Sequence, residues 1–587
     1  MGNEIHKRPG VAAAAGVTRK PAGDLSGFGS ARRDFLRRVS RLGAAVTVFG
    51  LGTEATLNAL FTRSALPTAA AAGTVLSSLA TSGNLPTIPV DQNPPPPPVP
   101  TGTIRWVATN GSDSNRGTET SPFATVQKAL NECSAGDGIY VKAGTYVSNS
   151  LYWKSGVVMR GAPGTTREQV IISHSTGGWS GIIMLEANNP TPIENVQFYG
   201  MTIQGGPVIT GTDSRSAREA NWGAETIYVR GHIRNLKFTN CVIRHALNRG
   251  VFITLPSGWN DNYYPDNIEV SHCRIYKTGT GTAGAGLQLA RRAGYGHFHH
   301  NEIHSDVDGI VTEGNYAGSL FEFNHIGPGV AGDGIKGSED AIDIKTAWRQ
   351  NPLLSEGQRT IVRNNILHGQ VMQTGVTVQF GTERVDIHGN RIYNNRTGIW
   401  MRGDDGSHRQ SAPISDIRIW DNEIFDNWGG GIEMVQNGPD DVLIDNNRIY
   451  DNGTQNDGPQ RAGIRIVGRD ITIRNNVISN SSQVLTGKPQ FWFENNLAVS
   501  QTLSDRNMFF LPDTSFNVAR VGSGSAMKLT AWRSFSGQDE NSTEALARYE
   551  PASPPAPPRS LNVAGVEGID EAGGVELAGL GRVGRIA

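Results

Sequence analysis

The sequence has little cysteine, little apolar residue and almost no net charge. Three cysteines in 587 residues, Cys133, Cys241 and Cys273, are too few for a disulfide framework, and their spacing matches no zinc motif. Apolar residues make up 37% of the chain, low for its length. The most apolar stretch, Leu42 to about Leu60, is broken by Thr47, Glu54 and several glycines, which makes it a poor membrane span. A formal charge of −1 gives no basic surplus for nucleic acid or an anionic membrane. No Ser-His-Asp order, phosphate loop or dinucleotide motif stands out. Glycine is abundant, with 72 residues. Much glycine with a small apolar fraction fits a repetitive fold with a narrow core and many turns. The length suits one elongated domain with tails, or two or three compact ones.

The N-terminus reads as an address. Ser30-Ala31-Arg32-Arg33-Asp34-Phe35-Leu36-Arg37 resembles a bacterial twin-arginine export signal, and the modestly apolar stretch follows it. Ala69 to Ala72 supply small residues for cleavage before Gly73. The expectation is an export signal over 1–72 and a secreted or periplasmic protein, with no membrane attachment after cleavage. That route carries folded proteins, which suits a chain that does not depend on disulfides. Residues 73–102 form a Pro-rich linker, with Pro94 to Pro98 as a stiff polyproline spacer. Residues 546–587 read as a disordered Pro/Gly-rich tail.

Between these ends a pattern recurs: a short strand, usually an Asn, one residue, then Ile. It appears at Asn301/Ile303, Asn324/Ile326, Asn364/Ile366, Asn390/Ile392, Asn422/Ile424, Asn447/Ile449 and Asn476/Ile478, with Cys241 and Cys273 in the Asn position of earlier units. Intervals of roughly 23 to 40 residues are those of solenoid coils with variable loops. The strands alternate apolar and polar residues with period two, which argues against a helical solenoid. A single unit cannot bury its apolar edge, so coils must stack and pair in parallel, ~4.8 Å apart. The Asn position then becomes a ladder of bonded amides, with the two cysteines as small buried members.

A solenoid end needs a cap. Ser121-Pro122 reads as a helix start, with Phe123, Val126, Ala129 and Leu130 on one face, and Gly136 to Tyr146 reads as the first coil. The segment from Trp106 to Leu130 followed by Ala135 to Tyr146 resembles the opening of the pectate-lyase-like right-handed β-helix proteins, particularly the polysaccharide lyases of family nine. The segment Leu529 to Ser542 is similar to the closing part of many such chains, so the resemblance spans roughly residues 104–545. It implies an all-β fold: a single-stranded right-handed parallel β-helix over 103–545 with an N-terminal cap helix. The same frame carries lyases, hydrolases, epimerases and non-catalytic members.

After each Asn-x-Ile comes a second strand, written small-Gly-apolar-x-apolar-x, whose x positions point outward. One outward column reads Phe252, Gln288, Val311, Asp343, Thr377, Trp400, Glu433, Arg465; the next reads Thr254, Ala290, Glu313, Lys345, Gln379, Arg402, Val435, Val467. Arg249, Asp308, Asp340 and Thr374 precede the Gly position. A lone outward charge on a solenoid is usually solvated surface. Acids on consecutive coils repel unless a cation lies among them, and Asp308, Asp340 and Asp343 could form an oxygen-rich Ca2+ site. β-Elimination on a uronate polymer fits this set: a base removes the proton beside a carboxylate that a cation, Arg or Gln neutralises. The resemblance implies Lys345 as base and the three aspartates as calcium ligands, with Arg402 or Gln379 on the substrate carboxylate. Trp400 would stack on a sugar, and Glu313 and Glu433 would line the substrate path. Asp343 beside Lys345 would keep the lysine protonated unless the cation absorbed that charge. The expected partner is an acidic polysaccharide, and the expected state a monomer. A β-helix glycoside hydrolase using two of the acids, a C5-epimerase, and a non-catalytic carbohydrate-binding or envelope protein are the alternatives. His297, His299, His300 and His304 fall on alternating faces, which argues against one metal site among them.

Overall fold

In a computed structural model, the described residues are 93–551, apart from 176–180, 210–214, 280–283, 315–317, 330–338, 346–357, 404–413, 454–461 and 481–486. The segment expected to be an export signal and the chain beyond Pro551 lie outside them. Each coil is three short strands. Glu383–His388, Arg391–Tyr393 and Thr397–Arg402 make one coil, and each pairs in parallel with its counterpart in the next. Repetition builds three parallel sheets of 14, 13 and 14 strands among the described residues. The chain is an all-β right-handed parallel β-helix.

The corner from the first-sheet strand to the third-sheet strand has a fixed grammar. A residue with φ near +55°, such as His300, Phe323, Asn364, Asp421 or Asn446, is followed at once by the ladder residue. Left-handed backbone favours Asn, Asp and Gly there. Asn301, Asn324, Asn365, Asn390, Asn422, Asn447, Asn476 and Asn507 form the ladder. Each Oδ1 accepts from the backbone N–H of the preceding member, as in Asn390 to Asn422 at 3.0 Å. Each Nδ2 donates to a carbonyl such as Ile387 O, at 2.8 Å from Asn422. One expected member is corrected. Asn365, not Asn364, sits in the ladder and Leu367, not Ile366, in the core register, because Asn364 (φ 54°) supplies the left-handed corner. Cys241 and Cys273 continue the ladder as free buried thiols, with Cys273 Sγ accepting from Cys241 N at 3.4 Å. A second ladder, Gln370, Asn395, Asn427 and Asn452, lines the next corner. Inside, Ile303, Ile326, Leu367, Ile392, Ile424, Ile449 and Ile478 stack fully buried, each contributing about 2 kcal/mol of apolar burial.

The four helices among the described residues are α1 (Val126–Glu132), α2 (Arg215–Asn221), α3 (Asn496–Ser500) and α4 (Leu529–Ser536). Helix α1 caps the N-terminal end with Val126, Ala129 and Leu130 buried. It starts later than Ser121-Pro122 suggests. Thr125 is the N-cap, accepting from Lys128 N, and Asp113 holds Ala124 and Thr125. Phe123 bridges to Val107 instead of joining the helix. At the other end α4 stops at left-handed Gly537, and buried Trp532 stacks on Phe493 at 4.8 Å. Trp532 Nε1 donates to Asp539 Oδ2 at 2.8 Å, and Asp539 and Ser542 receive the last ladder amides from Asn507. Both flanking segments touch the solenoid. Pro95 and Pro98 carbonyls accept from Tyr199 and Arg160, and Tyr549 packs on Tyr450 and Phe510.

Candidate functional site

The second sheet carries the outward columns. The observed register places Phe252, Gln288, Val311, Asp343, Thr377, Trp400, Glu433 and Arg465 side by side on successive strands. The next column, Thr254 through Glu313, Lys345, Gln379 and Arg402 to Val435, runs parallel to it. Between these positions Ile342, Ile344, Val376 and Val378 point into the core.

Asp308, Asp340 and Asp343 converge, with one carboxylate oxygen of each within 4.8 Å of the others. All three are buried, Asp343 at 1% exposure. One oxygen of each is tied to the scaffold. Asp308 Oδ1 accepts from Asp340 N at 3.1 Å. Asp340 Oδ1 accepts from Thr374 N (3.0 Å), Thr374 Oγ1 (2.7 Å) and Thr377 Oγ1 (3.0 Å). Asp343 Oδ1 accepts from Gln379 Nε2 at 3.0 Å, while its Oδ2 meets Lys345 Nζ at 2.5 Å. The second oxygens of Asp308 and Asp340 are not engaged by these donors.

Burial, then the neighbouring acids, drive the carboxyl pKa values up. Asp340 rises to about 7 and Asp308 well above the usual range, and Asp343 rises despite Lys345. For Lys345 burial disfavours the charge, but Asp343 and Asp308 outweigh it, and its pKa lies above the ordinary lysine value. The ammonium thus keeps its proton in this arrangement, as the adjacency of Asp343 led one to expect. Buried, oriented acceptors of one sign with a single ammonium beside them suit a hard divalent cation, whose ligands are held by hydrogen bonds behind them.

The remaining expected residues lie at graded distances. Gln379 joins the cluster directly, and Glu313 pairs in register with Lys345 and accepts from Gln288 Nε2 at 3.0 Å. Arg402 is two strands from Lys345, ~10 Å away. Its Nε donates to Gln436 at 2.9 Å, and its guanidinium lies 5.4 Å from the Phe380 ring and 6.0 Å from that of Trp400. Glu433 is three strands from Asp343, ~14 Å, and holds Gly430 N at 2.8 Å. Thr374 and Thr377 were in the aligned columns but gave no chemical signal as hydroxyls; their role is to fix Asp340. Thr374 occupies the pre-Gly position shared with Asp308 and Asp340, the one clue available.

Comparison with known proteins agrees with the fold. Residues 344–498 match the family model described as right handed beta helix region, and residues 109–351 that described as protein of unknown function (DUF1565). The Bacillus subtilis (strain 168) protein YwoF, described as uncharacterized, is 24% identical over 368 residues, covering 60% of this chain and 70% of its own. Among solved structures, the A-module of the Azotobacter vinelandii mannuronan C-5 epimerase AlgE6 is similar at 16% identity and TM-score 0.44, covering 72% of this chain and 93% of its own. The pectate lyase Pel9A is similar at 15% identity and TM-score 0.33, covering 66% and 78%. The right-handed β-helix model over residues 344–498 agrees with the three parallel sheets of the structure.

Proposed function

We propose that this is an exported polysaccharide-active enzyme that cleaves a uronate-containing polymer by β-elimination on the outward face of the second sheet. The observation that carries the reading is the convergence of three buried, scaffold-held carboxylates with Lys345 on that face. Asp308, Asp340 and Asp343 would hold Ca2+, which when bound supplies the positive charge that neutralises a uronate carboxylate. Lys345 is the candidate base. With Asp343 engaged elsewhere, the attraction that retains its proton weakens, while its partial burial continues to favour the neutral amine. Lys345 Nζ then takes the proton from the carbon next to the substrate carboxylate, that C–H electron pair forms a double bond to the neighbouring ring carbon, the glycosidic C–O bond at that carbon breaks, and the departing oxygen takes a proton from water. Gln379 and Arg402 hold that carboxylate, and Trp400 offers a ring to a neighbouring sugar. Glu313 and Glu433 border the path of the chain. Export through the Arg32-Arg33 signal would place a monomeric enzyme where such polymers occur.

A glycoside hydrolase is the second reading, favoured by the convergence of Asp308, Asp340 and Asp343, where burial and then Asp343 push the Asp340 carboxyl up to about 7. A carboxyl group half protonated at neutral pH is a general acid that needs no cation. Incubating the purified protein with pectate, alginate and glycosaminoglycans, with Ca2+ or with EDTA, separates the two. The lyase predicts unsaturated ends that appear only with Ca2+ and vanish in Lys345→Ala. The hydrolase predicts saturated new ends, insensitivity to EDTA and loss in Asp340→Asn. Full activity in Lys345→Ala refutes the base assignment, and unchanged chain length on every polymer refutes both readings.

A further inference from the structure

Pro94 to Pro98 are consecutive prolines, which hold φ near −65° and make the run an extended polyproline helix with three residues per turn. The structure lays this helix on the first sheet. Exposure follows the three-residue period. Pro94, Pro97 and Pro100 are half-buried, whereas Asn93, Pro96 and Val99 are exposed, Val99 at 77%. One face of the helix therefore rests on the protein and another meets solvent.

Its contacts run in order along the segment and backwards along the solenoid. Tyr199 Oη donates to Pro95 O at 2.9 Å, and Arg160 Nη1 donates to Pro98 O at 3.3 Å. The Pro100 ring sits on Gly138, where a Cβ would overlap it. The chain then turns at Gly102, whose N–H donates to Gly136 O at 2.7 Å, and enters the strand Ile104–Val107. The receiving surface is a column of register neighbours, Trp106, Tyr140, Arg160 and Tyr199. Trp106 meets Tyr140 edge to face at 5.2 Å, and the Arg160 guanidinium lies 4.9 Å from the Tyr140 ring. Aromatic rings beside side chains that donate to proline carbonyls are the chemistry that recognises a polyproline helix.

We infer that this first-sheet column is a polyproline-binding surface whose occupant is the chain's own Pro94–Pro100, and that the docked strap clamps the N-terminal coils together. A terminal coil of a solenoid has a neighbour on one side only, so local opening starts at the ends. The strap ties Gly138–Val141, Val158–Gly161 and Ile193–Tyr199 from outside the sheet, through contacts separate from the pairing between those strands. Proline has few conformations to lose, so docking it costs less ordering entropy than docking a flexible run of the same length. The segment is thus part of the folded domain and not a spacer ahead of it. The clamp stands whatever chemistry the second sheet performs.

The test is hydrogen exchange on the full-length protein, read peptide by peptide. Three variants accompany wild type. Pro97→Gly with Pro98→Gly loosens the strap without touching the sheet. Tyr199→Phe keeps the ring and removes one donor. Val99→Ser alters the solvent face of the strap. In the double proline variant, exchange over Ile104–Val107, Gly138–Val141 and Val158–Gly161 should quicken at least about fivefold, and in Tyr199→Phe about threefold. Exchange in the distant coil strand Asp440–Asp445 should be unchanged in both, and Val99→Ser should match wild type throughout. Unchanged exchange at the N-terminal strands in the double proline variant would overturn the inference. So would an equal rise in every coil, which would mark general destabilisation, or a rise in Val99→Ser as large as that in the double variant.

Discussion

Replacing Asp340 with asparagine should stabilise the metal-free protein. Asp340 is 3% exposed, and burial together with Asp343 raises its pKa from the usual 3.8 to about 7. A carboxyl group with a raised folded pKa binds its proton more tightly in the folded state. It costs nothing below about pH 3.8, costs progressively more as pH rises, and levels off above about 7. About three pH units at ~1.4 kcal/mol each give a burden near 4 kcal/mol at pH 8 and under 2 kcal/mol at pH 5. Asparagine keeps the Oδ1 that accepts from Thr374 and Thr377 and discards the charge. For a chain of this length the unfolding entropy converts 1 kcal/mol into roughly 1 °C. Thermal unfolding in EDTA should then show Asp340→Asn about 4 °C above wild type at pH 8, and only 1–2 °C above it at pH 5. His272, His300, His325 and His388, lowered to about 4, make stability rise with pH between about 4 and 6.5. They do so equally in both proteins and cancel in the difference. A variant less stable than wild type in EDTA at pH 8, or a difference that does not grow with pH, would refute the reasoning.

Two further outcomes concern the frame. Asn422→Ala removes the acceptor of Asn390 N and Nδ2 and the donor to Asn447 Oδ1 and Ile387 O. Asn390 Nδ2 and Asn447 Oδ1 keep other partners, so at about 1–3 kcal/mol for each of the two stranded buried groups the loss should be roughly 2–6 kcal/mol, read as a Tm fall of about 2–6 °C; a fall under 1 °C would show that the ladder contributes little. Cys133, Cys241 and Cys273 are buried and free, so a thiol reagent should label none of them in the native protein and all three in denaturant, with Tm unaffected by reductant.

The coil grammar was legible because two signals with different periods agree. Period-two alternation sets which side chains point inward, and the Asn-x-Ile spacing sets where each coil turns. That pair of anchors aligned the second-sheet columns residue for residue from Phe252 to Arg465. It slipped at Asn364-Asn365, where two adjacent asparagines both fit the pattern and only the left-handed φ of the first decides between them. The second ladder at Asn395, Asn427 and Asn452 was present as a further Asn five residues after the first, but corner and strand positions look alike without φ. The depth of the site was not legible at all. A lone outward charge on a solenoid is usually solvated, yet Asp343 is almost inaccessible. On a parallel sheet each outward side chain is flanked by its register neighbours ~4.8 Å away. Val311 and Thr377 do this for Asp343, with Lys345 and Gln379 beside it.

The three outward faces resolve that crowding in different ways, and the contrast is the argument for chemistry on the second. On the first sheet, register neighbours carry opposite charges, as in Arg469 with Asp440 at 2.5 Å and Arg474 with Asp445 at 2.8 Å. On the third, aromatic rings stack from His368 to Tyr450. Both arrangements satisfy themselves and lower the free energy of the frame. The second sheet places three carboxylates together, buried, with Lys345 as the cation paired to one of them. Like charges on neighbouring strands destabilise a sheet, and burial magnifies the penalty. The same solenoid could have accepted Thr or Val at these positions, as it does at Thr377 and Val311 on the adjoining strands. A frame that is self-consistent on the first and third sheets and crowds like charges on the second carries that cost where the proposed cation would relieve it.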